Sequence, residues 1–321
     1  MIILVGGAGF IGHHLALTLK MAGKDVMILD PMIVNNKYAV MDDPKLAAII
    51  AEREALLDQW KVPVISADAR DYDMISHIFR HHKPHAVVHL AAISHIDRAN
   101  KDPMSTFDHN LRTLENSLDA SRATGCERFV FFSSSTVYGN FKKPVLDETE
   151  PCEPKGIYGS LKLAGELIVK AYGDVYGLPW TIIRPMAAYG SRCVSGRVTQ
   201  KFIEQAIAGS PLKIEGDGSS RVDFTHIKDI VRGVILALGK PAAANQIFNI
   251  TAGESMSLLE LAEIVQKHFP KTEIEYGPPD PQRPRRGALS IEKAKELLGF
   301  EPKWRLAEGM ADYIGWYRNA G

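Results

Sequence analysis

The chain opens MIILVGGAGFIG (residues 1–12), and the reading of that stretch decides the fold. Apolar residues 2–5 form a short continuous run, as in a strand buried on both faces. Glycines at 6, 9 and 12 follow, and "FIGHHLALTLKMAG" then carries helical spacing as far as Gly23. Strand, turn and helix therefore meet at a G-x-x-G-x-x-G loop. A turn this tight needs a residue without a side chain, a pyrophosphate needs close backbone approach, and the helix needs close packing on the strand. The first turn of the helix offers free N–H groups to phosphate. A glycine motif alone is weak, but this one sits at the junction where a dinucleotide needs it. Asp30 ends the next apolar run, "DVMILD", 18 positions beyond Gly12. An acid there accepts hydrogen bonds from a ribose 2′-hydroxyl and repels a 2′-phosphate, which favours NAD over NADP. The alternative is a tight turn without a ligand.

Outward from this unit the alternation continues. "VPVISAD", "HAVVHLAA", "RFVFFSSS" and "PWTIIRP" read as further strands, and helical stretches separate them: "PKLAAIIAEREALLDQWK", "DMISHIFRHHK", "TFDHNLRTLENSLDASRATG" and "YGSLKLAGELIVKAYGDVYG". Strands apolar on both faces and separated by helices imply a parallel sheet covered on both sides. The fold class expected is α/β, a Rossmann-like doubly wound parallel sheet with a smaller α/β substrate-binding domain after it. Beyond Pro185 the rhythm loosens. "RVTQKFIEQAIAG", "IKDIVRGVILALG", "SMSLLELAEIVQKHF" and "SIEKAKELLG" look helical, "NQIFNIT" looks like one more strand, and the Pro- and Arg-rich "YGPPDPQRPRRG" reads as a loop. The expected division is 1–178 plus about 224–250 for the dinucleotide domain, and 179–223 plus 251–321 for the substrate domain.

Composition narrows the partners. The chain has 321 residues, 45% hydrophobic and 24% charged, with a formal net charge of zero. No long basic run suggests nucleic acid, and no apolar stretch is long enough to span a bilayer. The start carries no basic segment, apolar core and cleavage site, so no secretion signal is read. Cys126, Cys152 and Cys193 are odd in number and scattered, which fits a reducing cytoplasm better than a disulfide framework. The eleven histidines include His81, His82, His85 and His89, but no metal-binding spacing accompanies them, and no metal is expected. Asp68, in "SADARD", either bonds an adenine amino group or caps the following helix.

Chemistry concentrates in "GIYGSLKLAGE" (156–166), where Tyr158 and Lys162 stand one helical turn apart and project from one face. A free phenol titrates at about 10, so at neutral pH it is a poor base. Lowering it by about three units needs about 4 kcal/mol. An ammonium about 4 Å away at an effective dielectric of about 20 supplies that much. "SSSTVYG" (133–139) ends the fifth strand with four hydroxyls, at the carboxyl edge where a parallel sheet opens its ligand crevice. Hydroxyls there donate to and accept from a substrate oxygen. They can equally terminate a strand and cap a turn.

With these motifs the chain resembles the extended short-chain dehydrogenase/reductase family, and within it the sugar-nucleotide epimerases and dehydratases. The resemblance rests on "GGAGFIG", "HLAA" (89–92), Asn110, "SSSTVYG", "YGSLK", "GDGSSRVDFTHIKD" and "LLGFEP", and spans nearly all of the sequence. It implies NAD on the first domain, held by Gly6, Gly9, Phe10, Ile11, Gly12, Asp30, Asp68, Ala69, Leu90, Ala91, Ala92, Asn110, Tyr158, Lys162 and Pro185. It implies catalytic roles for Ser134, Tyr158 and Lys162, with Thr136 beside them. Dehydratases of the family place an Asp-Glu pair after the catalytic hydroxyl, where this chain has Ser135 and Thr136. That is closer to the 4-epimerase pattern. The implied reaction is inversion at carbon 4 of an NDP-hexose or NDP-uronate. Tyr158 takes the proton of the 4-hydroxyl, the sugar passes through a 4-keto form, and the cofactor is regenerated. The alternatives are a sugar dehydrogenase, reductase or dehydratase of the same family, and a non-catalytic NAD-binding regulator.

Two departures concern the substrate. Ala187, in "RPMAAYG", stands where the family places an asparagine, and Val222 stands where it places a phosphate-binding arginine, Arg221 being one residue early. In an extended segment one residue turns the side chain to the opposite face. Candidate substrate contacts are Ser134, Ser135, His95, Arg192, Arg197, Arg221, Arg283 and Arg286, with Arg285 and Asp97 as neighbours. Apolar positions Leu161, Ala164, Leu167, Ile168, Ala171 and Val175 exceed one narrow stripe, and with the family's habit they suggest a homodimer.

Overall fold

Strand β1 (Ile2–Val5) is followed by helix α1 (Phe10–Met21), β2 (Val26–Leu29), α2 (Pro44–Gln59), β3 (Val64–Ile65), α3 (Tyr72–His82) and β4 (Ala86–His89) in this computed structural model, which describes residues 1–34, 36–94, 96–279 and 284–319. Next come α4 (Ile96–Lys101), α5 (Pro103–Phe107), α6 (Thr113–Ala123), β5 (Arg128–Phe132), β6 (Val145–Leu146), α7 (Gly156–Tyr176) and β7 (Trp180–Arg184). The remainder holds α8 (Val198–Ile207), β8 (Leu212–Glu215), β9 (Arg221–Val222), α9 (Ile227–Gly239), β10 (Gln246–Asn249), β11 (Met256–Ser257), α10 (Leu258–His268), β12 (Ile274–Gly277), β13 (Ala288–Leu289), α11 (Glu292–Leu298) and α12 (Leu306–Asn319).

Seven strands form one parallel sheet in the order β10-β7-β5-β4-β1-β2-β3. Period-two alternation splits β1 between two cores. Ile2 and Leu4 face α1 and α9 with Val88, Val130 and Ile183, while Ile3 and Val5 face the other side with Val87, Phe129, Leu114 and Val169. The chain leaves β1 in one direction through β2 and in the other through β4. The crevice between these carboxyl ends is the point where such folds bind ligands.

Local signals set the boundaries. Asp43 caps α2 by accepting from the N–H groups of Lys45 and Leu46 at 3.0 and 3.1 Å, with Pro44 at the first helical position. Gly177 ends α7 at φ 68°. Ser257 and Glu260 form the capping box of α10.

Two expectations change. The single helix read across 106–125 is α5, one wide π turn at Asp108–Arg112, and α6. The π turn turns the Asn110 amide inward, where it accepts from Ile93 N–H at 2.8 Å. The expected division at 179 puts β7 with the substrate unit. β7 lies inside the sheet, between β5 and β10, because its five residues are buried on both faces. Short pairs β8–β12, β9–β11 and β6–β13 went unread, being only two to four residues long. Around β8, α8, α10 and α12 a separate core gathers Phe202, Ile214, Leu261, Met310 and Tyr313.

Candidate active site

The glycine loop shows a separate reason for each of its three glycines. Gly6 has φ +75°, and a Cβ on it would lie 2.6 Å from Ala91 Cα, so the segment after β4 packs directly on the turn. A Cβ on Gly12 would run into the Gly7 backbone, which locks helix to loop. Gly9 is different: its Cβ would meet only the Gly6 carbonyl, at 3.4 Å, and beyond it lies a cleft of about 1070 Å³. No side chain caps the start of α1 at Gly9, so its first N–H groups are left for a ligand. An uncapped helix start over an open glycine cradle fits a dinucleotide diphosphate. The cleft lies at the top of the range usual for ligand sites, about 300–1,000 Å³.

Most of the expected cofactor residues line this cleft: Gly6, Gly9, Phe10, Ile11, Gly12, Asp30, Asp68, Ala69, Leu90, Ala91, Ala92, Tyr158, Lys162 and Pro185. Asp30 accepts from Ala8 N–H at 3.0 Å and Met32 N–H at 2.8 Å, one on each carboxylate oxygen. Each oxygen keeps acceptor capacity for a ribose diol. Burial pushes the Asp30 carboxyl above its ordinary value, and the two N–H groups oppose that. Asp68 faces the cleft paired with Arg70 at 2.5 Å; the cap of α3 is Asp71, which accepts from Met74 N–H at 3.0 Å. Asn110 is the exception. It does not line the cleft and instead holds the backbone of Ile93, on the loop after β4.

Ser134, Ser135, Thr136, Tyr158 and Lys162 converge on the same cleft. The Ser134 hydroxyl accepts from Thr136 N–H at 3.2 Å and acts on the Tyr158 phenol, whose ionised form it favours. The Thr136 hydroxyl is buried without a partner among the described residues, a group placed for something the cleft holds. Lys162 differs from expectation. Its ammonium donates to the Phe132 carbonyl at 2.6 Å and stands 5.9 Å from the Tyr158 ring centroid. Loss of water on burial brings Lys162 down to about 7, with Glu166 opposing the shift. Burial likewise pushes the Tyr158 phenol up, and the cation that pulls it back is Arg197, helped by the Ser134 hydroxyl. Burial penalises the charged form of both groups, and the protein's own cation acting on the phenol is Arg197.

Behind Lys162 lies a network that the sequence reading missed. Glu166, one further turn along α7, accepts from Ser133 Oγ at 2.5 Å and from Arg184 Nε and Nη2 at 2.9 and 2.6 Å. Arg184 also donates to Tyr138 Oη at 2.8 Å, and that hydroxyl donates to Asn249 at 2.8 Å. Strand end and helix are thereby sewn together on both sides of Ser134. The i, i+4 spacing of Lys162 and Glu166 was the available signal.

The substrate candidates divide. Arg197, Arg285 and Arg286 line the cleft, as do Asp97 and the unforeseen Lys155. Arg286 donates to the Ser135 and Gly139 carbonyls at 3.3 and 3.1 Å, and burial brings it down to about 10. Ala187 and Val222 also face the cleft, without charge. Arg192 and Arg221 do not line it. Arg192 is bound to Glu52 and His13 behind the glycine loop, and Arg221 pairs with Glu260 at 3.4 Å on the surface. His95 and Arg283 lie outside the described residues. Among the described residues no group of three or more His, Cys, Asp and Glu is placed to hold a metal, and no helix is long and apolar enough to cross a membrane.

Comparison with known proteins agrees with this geometry. The model of the NAD dependent epimerase/dehydratase family matches residues 2–251. A UDP-glucose 4-epimerase of Lacticaseibacillus casei is 31% identical, over 94% of this chain and 92% of that protein. Among solved structures, a UDP-glucose 4-epimerase of Thermotoga maritima with UDP-glucose superposes with a TM-score of 0.87 at 29% identity, covering 99% of this chain and 98% of that one. A UDP-glucuronic acid 4-epimerase of Bacillus cereus, in complex with UDP-glucuronic acid and NAD, gives 0.88 at 26% identity, covering 100% and 99%. The loop, the cleft and the hydroxyl–tyrosine–lysine set thus come with whole-chain likeness, and the chain belongs to the NAD-dependent epimerase/dehydratase family.

Proposed function

We propose that this protein inverts carbon 4 of a nucleotide-linked hexose or uronate by way of a transient 4-keto sugar. The observation that carries this reading is the turn after β5. Ser134 and Tyr158 line the cleft together, Thr136 offers a hydroxyl with no partner among the described residues, and the two residues after Ser134 are Ser135 and Thr136. The turn therefore lacks the carboxylate pair that elimination of water needs. NAD supplies the hydride chemistry and, when oxidised, a positive charge. The chain's own residues do the rest. Tyr158 takes the hydroxyl proton and later returns it. Ser134 orients that oxygen and stabilises the phenolate. Lys162, anchored on the Phe132 carbonyl, holds a positive charge below the ring.

Arg197, Arg285, Arg286 and Lys155 supply the positive charge for a nucleotide diphosphate in place of groups at 187 and 222. The larger unit, β7 and β10 included, carries the dinucleotide, and the smaller unit covers the sugar. Leu167, Val175 and Tyr176 on α7 are 60%, 70% and 55% exposed, which supports a homodimer across that helix, and three unpaired cysteines support a cytoplasmic setting. The test is incubation with UDP-, GDP-, CDP- and dTDP-linked sugars, with products read by NMR and absorbance followed at about 340 nm for the reduced cofactor. A 4-epimer without net absorbance change is expected. Steady absorbance gain means a dehydrogenase and overturns the reading.

A further inference from the structure

We propose that Arg192 and His13 are positioning residues for the dinucleotide: with Glu52 they form a relay, buried at His13, that fixes the Gly9 peptide at the mouth of the glycine loop. The proposal rests on the cofactor reading above and deepens it.

The relay is continuous. Arg192 Nη1 donates to Glu52 Oε1 at 3.0 Å, and Arg192 Nε donates to His13 Nε2 at 3.1 Å. A guanidinium N–H only donates, so His13 Nε2 must accept. The imidazole proton is then on Nδ1, which donates to the Gly9 carbonyl at 3.0 Å. That carbonyl also accepts from His13 N–H at 3.0 Å, so both of its lone pairs are used. Protonating His13 would set two donors against each other. Burial and the neighbouring cations hold it neutral, well below the ordinary histidine value. An oxygen engaged twice on the helix side cannot swing toward an anionic ligand, and the loop is left presenting N–H groups to the cleft.

The other end of the relay is clamped as firmly. Arg192 has φ 62°, a left-handed conformation for a residue with a side chain. Its carbonyl accepts from Arg53 Nε and Nη2 at 3.0 and 2.5 Å, while His14 Nε2 donates to the Ser191 carbonyl at 3.0 Å. Trp316 of α12 donates to both oxygens of Glu52 at 3.1 and 3.2 Å. Val194, Ser195 and Arg197, just downstream, line the cleft. The segment that carries the cleft rim into the smaller unit is thus tied through two side chains to the peptide that faces the cofactor.

Four variants test this by calorimetric titration of NAD into full-length protein stripped of dinucleotide. Arg192→Gly removes the guanidinium while relieving the backbone, and His13→Leu keeps volume without polarity. Each is expected to weaken NAD binding about tenfold, the loss of one or two part-buried hydrogen bonds. The double variant is expected to be no weaker than either single one, since both break the same relay. His13→Gln, whose amide accepts and donates as the imidazole does, is expected to recover binding to within about threefold of the parent. Parent affinity in both single variants, losses that multiply in the double, or His13→Gln no better than His13→Leu overturns the relay. If the stripped parent does not bind NAD, the cofactor reading fails and the relay with it.

Discussion

Replacing Glu166 by glutamine unpairs a guanidinium that has no water to turn to. The side chains of Arg184 and Glu166 are 3% and 0% exposed, and Arg184 gives Glu166 two hydrogen bonds at 2.9 and 2.6 Å. Glutamine keeps an oxygen for Ser133 but loses the charge. Breaking a buried pair from one side destabilises by about 3–5 kcal/mol. Unfolding entropy of about 2.1 cal/mol/K per residue turns this into a melting temperature about 4–7 °C lower for a chain of this length. Arg184→Met should cost about as much by the same mechanism, leaving Glu166 buried and unpaired. The double variant Glu166→Met/Arg184→Met, which buries no charge, should lie closer to the parent than either single change. Calorimetric melting of all four proteins reads this directly. A Glu166→Gln protein melting within about 1 °C of the parent, or losses that simply add, would refute the network as described.

Two other outcomes follow from the charges in the cleft. Lys162 has an ordinary value of 10.5 and is brought down to about 7 by burial. Between those values the unfolded chain binds more protons than the folded one, so stability should rise with pH through that window. Urea unfolding of the dinucleotide-free protein across the window should show this rise in the parent and not in Lys162→Met; an unchanged slope in the variant counts against it. Asp30→Ser removes the buried carboxylate that repels a 2′-phosphate, and the ratio of NADP to NAD affinity should climb about tenfold, measured by titration. An unchanged ratio would mean that Asp30 does not face the ribose.

Much of this was legible because it is local. The run from Ile2 to Gly12 encodes strand, turn and helix within twelve residues, and the glycines leave few alternatives. The Tyr158–Lys162 spacing puts both side chains on one helix face whatever surrounds them. Cations were the weak point. Arg192, Arg197 and Arg221 look alike in sequence, and only packing separates the clamp behind the loop, the cleft and the surface. The charge of Lys162 is equally non-local, set by the burial that α7 and β5 create together and by Glu166. Asn110, a cofactor residue by resemblance, reaches the Ile93 backbone with its amide from the π turn, a contact that no local pattern announces. Strands of two residues, such as Arg221–Val222 and Ala288–Leu289, carry no periodicity to read.

Proton transfer at Tyr158 is the step on which the proposed chemistry depends. The most direct measurement is turnover of the Tyr158→Phe protein on the nucleotide-sugar that the parent inverts, set beside its affinity for NAD. Loss of about 10²–10⁴ in rate with NAD affinity preserved is what the geometry predicts. Turnover within about tenfold of the parent, with the cofactor bound, would mean that another group moves the proton.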